Sequence, residues 1–222
     1  MFHRVSSFIF VAFSLANTVY SREKRSELCF RGETSIHEFR DQDLKGRIVD
    51  FNNYRDNIVL LVNVATFCQY TFQYLGLNKL QEKYQRSDRC GLKILAVPCN
   101  QFAHQEPGNN AEEIFNGLKY VRPGRGFEPQ MLMMKKRDVN GKNEDSLYTW
   151  LKASCPSPSP EINEKSDIYY SPVRNDDISW NFEKILLDHK GQPRKRYTSA
   201  VEPEELVSDI EELIDMCLPE DS

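Results

Sequence analysis

Apolar positions fall in short blocks separated by polar, proline- and glycine-bearing stretches. Ile58–Val64 (IVLLVNV) and Leu92–Val97 (LKILAV) are apolar runs rich in β-branched residues and predict buried strands. Between them, Phe72–Tyr84 carries apolar residues at 72, 75, 77, 80 and 84, close to helical spacing, and Gly91 follows as a stop. Strand, helical crossover, strand is a βαβ unit, so the two strands should be parallel. Pro98–Gly108 (PCNQFAHQEPG) reads as a loop, Ala111–Lys119 as a short helix and Tyr120–Gln130 (YVRPGRGFEPQ) as a second loop. Met131–Val139 predicts a strand closed by the Asn140-Gly141 turn signal, and Ser146–Ala153 a short helix. The prolines of Ser154–Pro160 (SCPSPSP) bar helix and central strand. Trp180–Leu187 and Arg194–Thr198 flank Asp188-His189-Lys190-Gly191 and predict a β-hairpin. Glu202–Met216 predicts an amphipathic helix with an acidic first turn, as the helix dipole prefers. Ser21–Arg31 is polar and reads as a loose arm. With no internal repeat and no linker, the reading is one α/β domain with a mixed sheet.

The amino terminus changes the compartment rather than the fold. Residues 1–21 place Arg4 before an apolar stretch from Phe8 to Ala16, then Val19 and Ser21 at the −3 and −1 positions of a cleavage site. That is the layout of a secretory signal peptide; the stretch is about half the ~20 residues a membrane span needs. The expectation is therefore a signal peptide over 1–21, a mature domain over 22–222, and a secreted, extracellular protein. Loss of Arg4 would leave 28 basic against 33 acidic residues, a net charge of −5. An acidic chain is not built to coat nucleic acid or to bind an anionic membrane through a basic patch. All six cysteines lie beyond residue 21, in a compartment where disulfides persist, and a bridge between Cys29 and Cys155 is one possibility. Cys99 reads as a packing residue, Cys90 lies at a helix end and Cys217 near the carboxyl terminus.

Cys68 carries the most chemical information. It follows a buried strand and opens a helix, where unpaired backbone N–H groups and the positive dipole end stabilise a thiolate. Strand, turn, cysteine, helix is the thioredoxin arrangement, but Thr71 stands where a second cysteine would complete Cys-x-x-Cys, which argues against a dithiol oxidoreductase. On topology alone a buried structural cysteine is an equal alternative.

Five ordered motifs resemble the glutathione peroxidase family: Asn63-Val-Ala-Thr-Phe-Cys68, Pro98-Cys-Asn-Gln-Phe102, Gln105-Glu-Pro-Gly108, Leu118-Lys-Tyr-Val-Arg-Pro-Gly124 and Trp180-Asn-Phe-Glu-Lys184. The resemblance runs from about Thr34 to Ile214 and is closest to the secreted, plasma-type branch, in its cysteine-containing form. It implies a thioredoxin-like fold, a central mixed sheet flanked by helices. It implies a peroxidase of the oxidative-stress response, reducing hydrogen peroxide and organic hydroperoxides, with no cofactor beyond glutathione as reducing co-substrate. Cys68 takes the reactive position, often selenocysteine in the family; a thiol is less ionised than a selenol, so slower turnover is expected. Gln105, Trp180 and Asn181 take the other catalytic positions. Their amide and indole N–H groups suit a thiolate, since neutral donors stabilise it without adding charge.

Glutathione is anionic and calls for a basic rim. Arg122, Lys195 and Arg196 match basic positions of the glutathione-using branch; the ordinary alternative for the last two is a solvated strand edge. Gln73 stands five residues after Cys68, where some intracellular members have arginine. Thioredoxin-dependent members carry a resolving cysteine after the QEPG loop, and Ala111–Tyr120 has none, which favours glutathione or another small thiol. A secreted, non-catalytic thioredoxin-fold protein and a thioredoxin-dependent peroxidase remain the alternatives; the intact set of Cys68, Gln105, Trp180 and Asn181 speaks against the first. His104 neighbours Gln105, but the resemblance gives it no role. The four scattered histidines suggest no metal site. The long segment Leu118–Gln130, with Tyr120, Val121 and Phe127 beside Arg122 and Arg125, implies a homotetramer by resemblance to the members that possess it.

Overall fold

The computed structural model describes residues 25–85, 90–159 and 166–217. The expected signal peptide lies outside the described residues. The elements in chain order are β1 (Ser26–Leu28), β2 (Arg40–Gln42), β3 (Ile48–Asp50), β4 (Ile58–Val64), α1 (Gln73–Tyr84), β5 (Leu92–Pro98), α2 (Ala111–Asn116), β6 (Leu132–Met133), α3 (Ser146–Ser154), β7 (Lys184–Leu187), β8 (Pro193–Tyr197) and α4 (Val207–Cys217). A six-stranded sheet has the order β1-β8-β7-β4-β5-β6, and β2 and β3 form a separate hairpin. β4 is parallel to β5, and β5 to β6, whereas β7 meets β4 and β8 antiparallel. This is the mixed sheet that the apolar runs and the crossover helix lead one to expect, in the thioredoxin-like form that the resemblance implies.

Both faces of the sheet are covered, which is why β4 is apolar at almost every position. Ile58, Leu60, Val62 and Val64 point to a core shared with Tyr74, Leu77 and Leu80 of α1 and Ile210, Leu213 and Ile214 of α4. Val59 and Leu61 point the other way, to a core shared with Leu147, Tyr148 and Leu151 of α3. The period of two along a strand distributes one run of residues between two cores.

Four local readings are corrected. The segment 21–31 is not a loose arm throughout: Ser26–Leu28 pairs antiparallel with β8 and extends the sheet. The buried stripe of α1 runs through Tyr74, Leu77, Leu80 and Tyr84, whereas Phe72 and Leu75 are each 49% exposed. Helical geometry puts 74, 77, 80 and 84 on one side, so the apolar residues at 72 and 75 fall on the solvent side. The strand expected over 131–139 shrinks to Leu132–Met133, the part that pairs with Leu95 and Ala96 of β5. The first hairpin strand begins at Lys184 rather than Trp180, because Phe182 adopts a left-handed backbone (φ +66°) that breaks the extended chain.

Two disulfides fasten the ends of the domain. Cys29 bonds to Cys155, and Cys90 to Cys217. Cys217, near the carboxyl terminus, is thus not exposed but buried on α4.

Candidate active site

Cys68 sits between the end of β4 and α1, capping a 3-10 turn at Gln69–Phe72. Its Sγ accepts a hydrogen bond from Tyr70 N–H at 3.4 Å. The side chain is buried, and burial raises the thiol's pKa above its ordinary value. The Tyr70 N–H, the Asn181 amide, the Trp180 indole and the field of Arg122 each pull it down, in that order. The turn does stabilise the thiolate, as its position implies, but desolvation outweighs that effect. At neutral pH the resting sulfur therefore keeps its proton.

The Cys68 loop is held by its neighbours. Glu106 Oε2 accepts from both Thr66 N and Thr66 Oγ1 at 2.8 Å, and Phe67 N donates to Gln105 O at 2.9 Å. Two consecutive left-handed residues, Ala103 (φ +48°) and His104 (φ +51°), turn the chain so that Gln105 and Glu106 meet that loop. Gly117 packs so closely that a Cβ there would lie 3.1 Å from Thr66 Cγ2. A cavity of about 230 Å³ opens beside the loop between Phe67, Glu106 and Gly117.

Gln105, Trp180 and Asn181 converge on this region from two loops. Asn181 is fully buried, and its Nδ2 donates to Gln105 Oε1 at 2.9 Å. Gln105 thus orients Asn181, while Asn181 and Trp180 act on the sulfur. The Trp180–Phe182 turn is clamped onto β4: Asn63 Nδ2 donates to Trp180 O at 2.9 Å, and Phe182 N donates to Asn63 O at 2.6 Å. One strand therefore leads into the loop that carries the cysteine and holds the donors at its penultimate residue.

The three basic residues read as thiol-binding are not placed alike. Arg122 is exposed and close enough to Cys68 to lower the thiol's pKa. Lys195 is partly buried and paired with Asp209 at 2.9 Å. Arg196 is a correction: it is fully buried, pairs with Glu183 at 2.8 Å, and donates to the carbonyls of Cys155, Asp176 and Asp177. A buried guanidinium stays where its charge is paired and its donors are filled, so this one braces the Trp180 loop from inside and does not face a soluble thiol. His104 stacks on Tyr169, with ring centroids 3.6 Å apart. Cys99 is buried, and burial pushes its thiol up to about 12, consistent with a packing role.

Residue type alone did not single out Asn63, Glu106, Glu183 or Lys184, although each lies inside a quoted motif. A polar residue in an otherwise apolar strand, as Asn63 is in β4, was the available signal.

The profile of the family described as glutathione peroxidase matches residues 36–152. Glutathione peroxidase 3 of Caenorhabditis elegans is 47% identical over 171 residues, covering 76% of this chain and 75% of that protein. The epididymal secretory glutathione peroxidase of Mus musculus is 42% identical over 199 residues, covering 89% of this chain and 88% of the relative. Among solved structures, T. cruzi GPX1 superposes with a TM-score of 0.60 at 27% identity, covering 82% of this chain and 97% of that one.

Proposed function

This chain belongs to the glutathione peroxidase family, and from that membership we propose that it reduces hydroperoxides through Cys68, with glutathione or another small thiol as reductant. The observation that carries the reading is the convergence of Trp180 and Asn181 on a buried cysteine at the strand-to-helix turn. In the first step the Cys68 sulfur attacks the terminal peroxide oxygen. The O–O bond breaks, sulfur gains oxygen as a sulfenic acid, and the alcohol or water leaves with the proton that the thiol brought. The thiolate is the attacking form, so that proton leaves sulfur as the S–O bond forms. Asn181 Oδ1 has no protein partner and is an acceptor left for the hydroperoxide O–H. One thiol then condenses with the sulfenic acid, releasing water and leaving a mixed disulfide. A second thiol attacks that disulfide and restores Cys68.

Arg122 is the basic residue we assign to the incoming thiol's carboxylates, since Lys195 is already paired to Asp209. Secretion is supported by the layout of residues 1–21 and by two disulfides within the described residues. The name of the murine relative is consistent with it. We also propose a homotetramer: Tyr120 and Val121 are 70% and 62% exposed on the long segment, and Phe72, just before α1, and Leu75, on it, are exposed. The segment lies against α1, where Asn78 bonds the backbone of Glu128 and Gln130. Large exposed apolar side chains on one segment are what an interface would cover.

The test is peroxide consumption with glutathione and with thioredoxin side by side, in wild type and Cys68→Ser. The variant should be folded and inactive, and dimedone after peroxide should label Cys68 before Cys99. Turnover that survives in Cys68→Ser would overturn the assignment.

A further inference from the structure

Lys184 closes the Trp180-Asn-Phe-Glu-Lys184 motif and has no accessible surface. Lysine is almost never buried without a carboxylate partner. Here the ammonium meets carbonyls instead: Nζ donates to Phe182 O at 2.7 Å and to Ser199 O at 3.3 Å. Phe182 holds φ +66°, a conformation that costs a bulky residue free energy and persists only when its surroundings enforce it. The surroundings are visible. Asn63 O takes the Phe182 N–H, and the Phe182 ring stands edge-on to Tyr74 at 5.5 Å. Lys184 takes the one remaining backbone group, the carbonyl. Without the left-handed turn the chain would run extended from Trp180 into β7, and Trp180 and Asn181 would not both reach Cys68. Ser199 O is shared with Gln73 Nε2, at 2.8 Å, and Gln73 opens the helix that follows the nucleophile.

We propose that Lys184 is a positioning residue of the peroxidase site: its ammonium pins the Phe182 carbonyl, fixes the left-handed turn, and so holds the Trp180 indole and the Asn181 amide against the Cys68 sulfur. This rests on the reading of Cys68 as nucleophile. Burial lowers the lysine's pKa to about 7, Arg25 adds to the fall, and Glu183, Glu205 and Glu202 oppose it. A group so unfavourably placed is retained for what it holds.

Lys184→Met keeps the length and removes the donor. In folded Lys184→Met the pH midpoint of Cys68 alkylation should rise by about one unit, the scale of one lost charge-assisted hydrogen bond. Peroxide consumption should fall at least tenfold, with KM for the reducing thiol within twofold. A purely structural lysine would lower thermal stability and leave the alkylation midpoint where it was, and that result overturns the proposal. Activity in Cys68→Ser would instead overturn the reading beneath it. If the variant does not fold, NMR on Cys68→Ser protein with labelled lysine and tryptophan side chains decides. The Trp180 indole N–H shift should follow the Lys184 titration with the same midpoint. An indole resonance indifferent to that midpoint overturns the proposal.

Discussion

At the scale of single residues the site sets burial against hydrogen bonding. Desolvation raises the Cys68 pKa, and the Tyr70 N–H, Asn181, Trp180 and Arg122 lower it in decreasing measure. Removing the side-chain donors one at a time should therefore raise the midpoint of thiol alkylation in a definite order. Asn181→Ala should do most and Trp180→Phe less. Gln105→Ala should act only as far as it frees Asn181, whose Nδ2 it holds. Arg122→Ala should raise the midpoint too, but by an amount that shrinks with added salt, because a charge at an exposed position is screened and a buried hydrogen bond is not. A salt-independent effect at 122 would contradict the field assigned to it. Glu106 offers a stability test. Burial raises its carboxyl pKa above the usual value, against the pull of the two Thr66 donors. The unfolded chain then gives up this proton at lower pH than the folded one, so stability falls as pH rises through the folded-state value. Glu106→Gln keeps an acceptor for Thr66 without the charge. Urea unfolding from pH 4 to 8 should show a flatter profile in the variant than in wild type.

At the scale of elements the site is hung on β4 and the turn before β7, and α4 packs into the same core. The Cys90–Cys217 bridge ties the end of α4 to a position two residues before β5, across a sequence separation of 127. Loss of a native disulfide costs roughly 2–5 kcal/mol, and long loops lie toward the upper part of that range. Cys90→Ser with Cys217→Ser should lower unfolding stability by about that amount. The peroxidase rate at 25 °C should change little, since neither Cys68 nor its donors touch the bridge. The Cys29–Cys155 bridge differs, because the Cys155 carbonyl accepts from Arg196, whose partner Glu183 also holds the backbone N–H and hydroxyl of Ser179. Its removal should reach Trp180 as well as stability.

For the whole molecule, the long segment between α2 and β6 is not a detachable flap. Leu118 and Phe127 are buried in the core that also holds Cys68. Excising residues 118–130 would remove core together with surface, so assembly is better tested by charge placed on exposed positions. Tyr120→Glu with Val121→Glu should convert the proposed tetramer into monomers that still consume peroxide, because neither side chain packs into that core. Light scattering at micromolar concentration reads the outcome. A wild-type mass of about 22 kDa, one chain of residues 22–222 at about 110 Da per residue, would refute the tetramer.

Hydrophobic period and motif spacing were enough to determine the parallel β4–α1–β5 unit, the hairpin of β7 and β8, the position of Cys68 at a strand-to-helix turn and the family of the chain. Those properties are local, or are written as short runs of residue types, and local backbone preference expresses them directly. The side chains that brace the site were decided only by the fold. Arg196 looks like an edge residue until β1 covers β8 and Glu183 meets it inside. Cys217 finds Cys90 only when α4 folds back over the sheet. The apolar residues at 72 and 75 face water because the helix turns them there. The Cys68 thiol, which its turn alone would acidify, is pushed up by the burial that two packed layers impose. Each of these outcomes depends on which distant segment occupies the remaining space, and one-dimensional spacing does not carry that information.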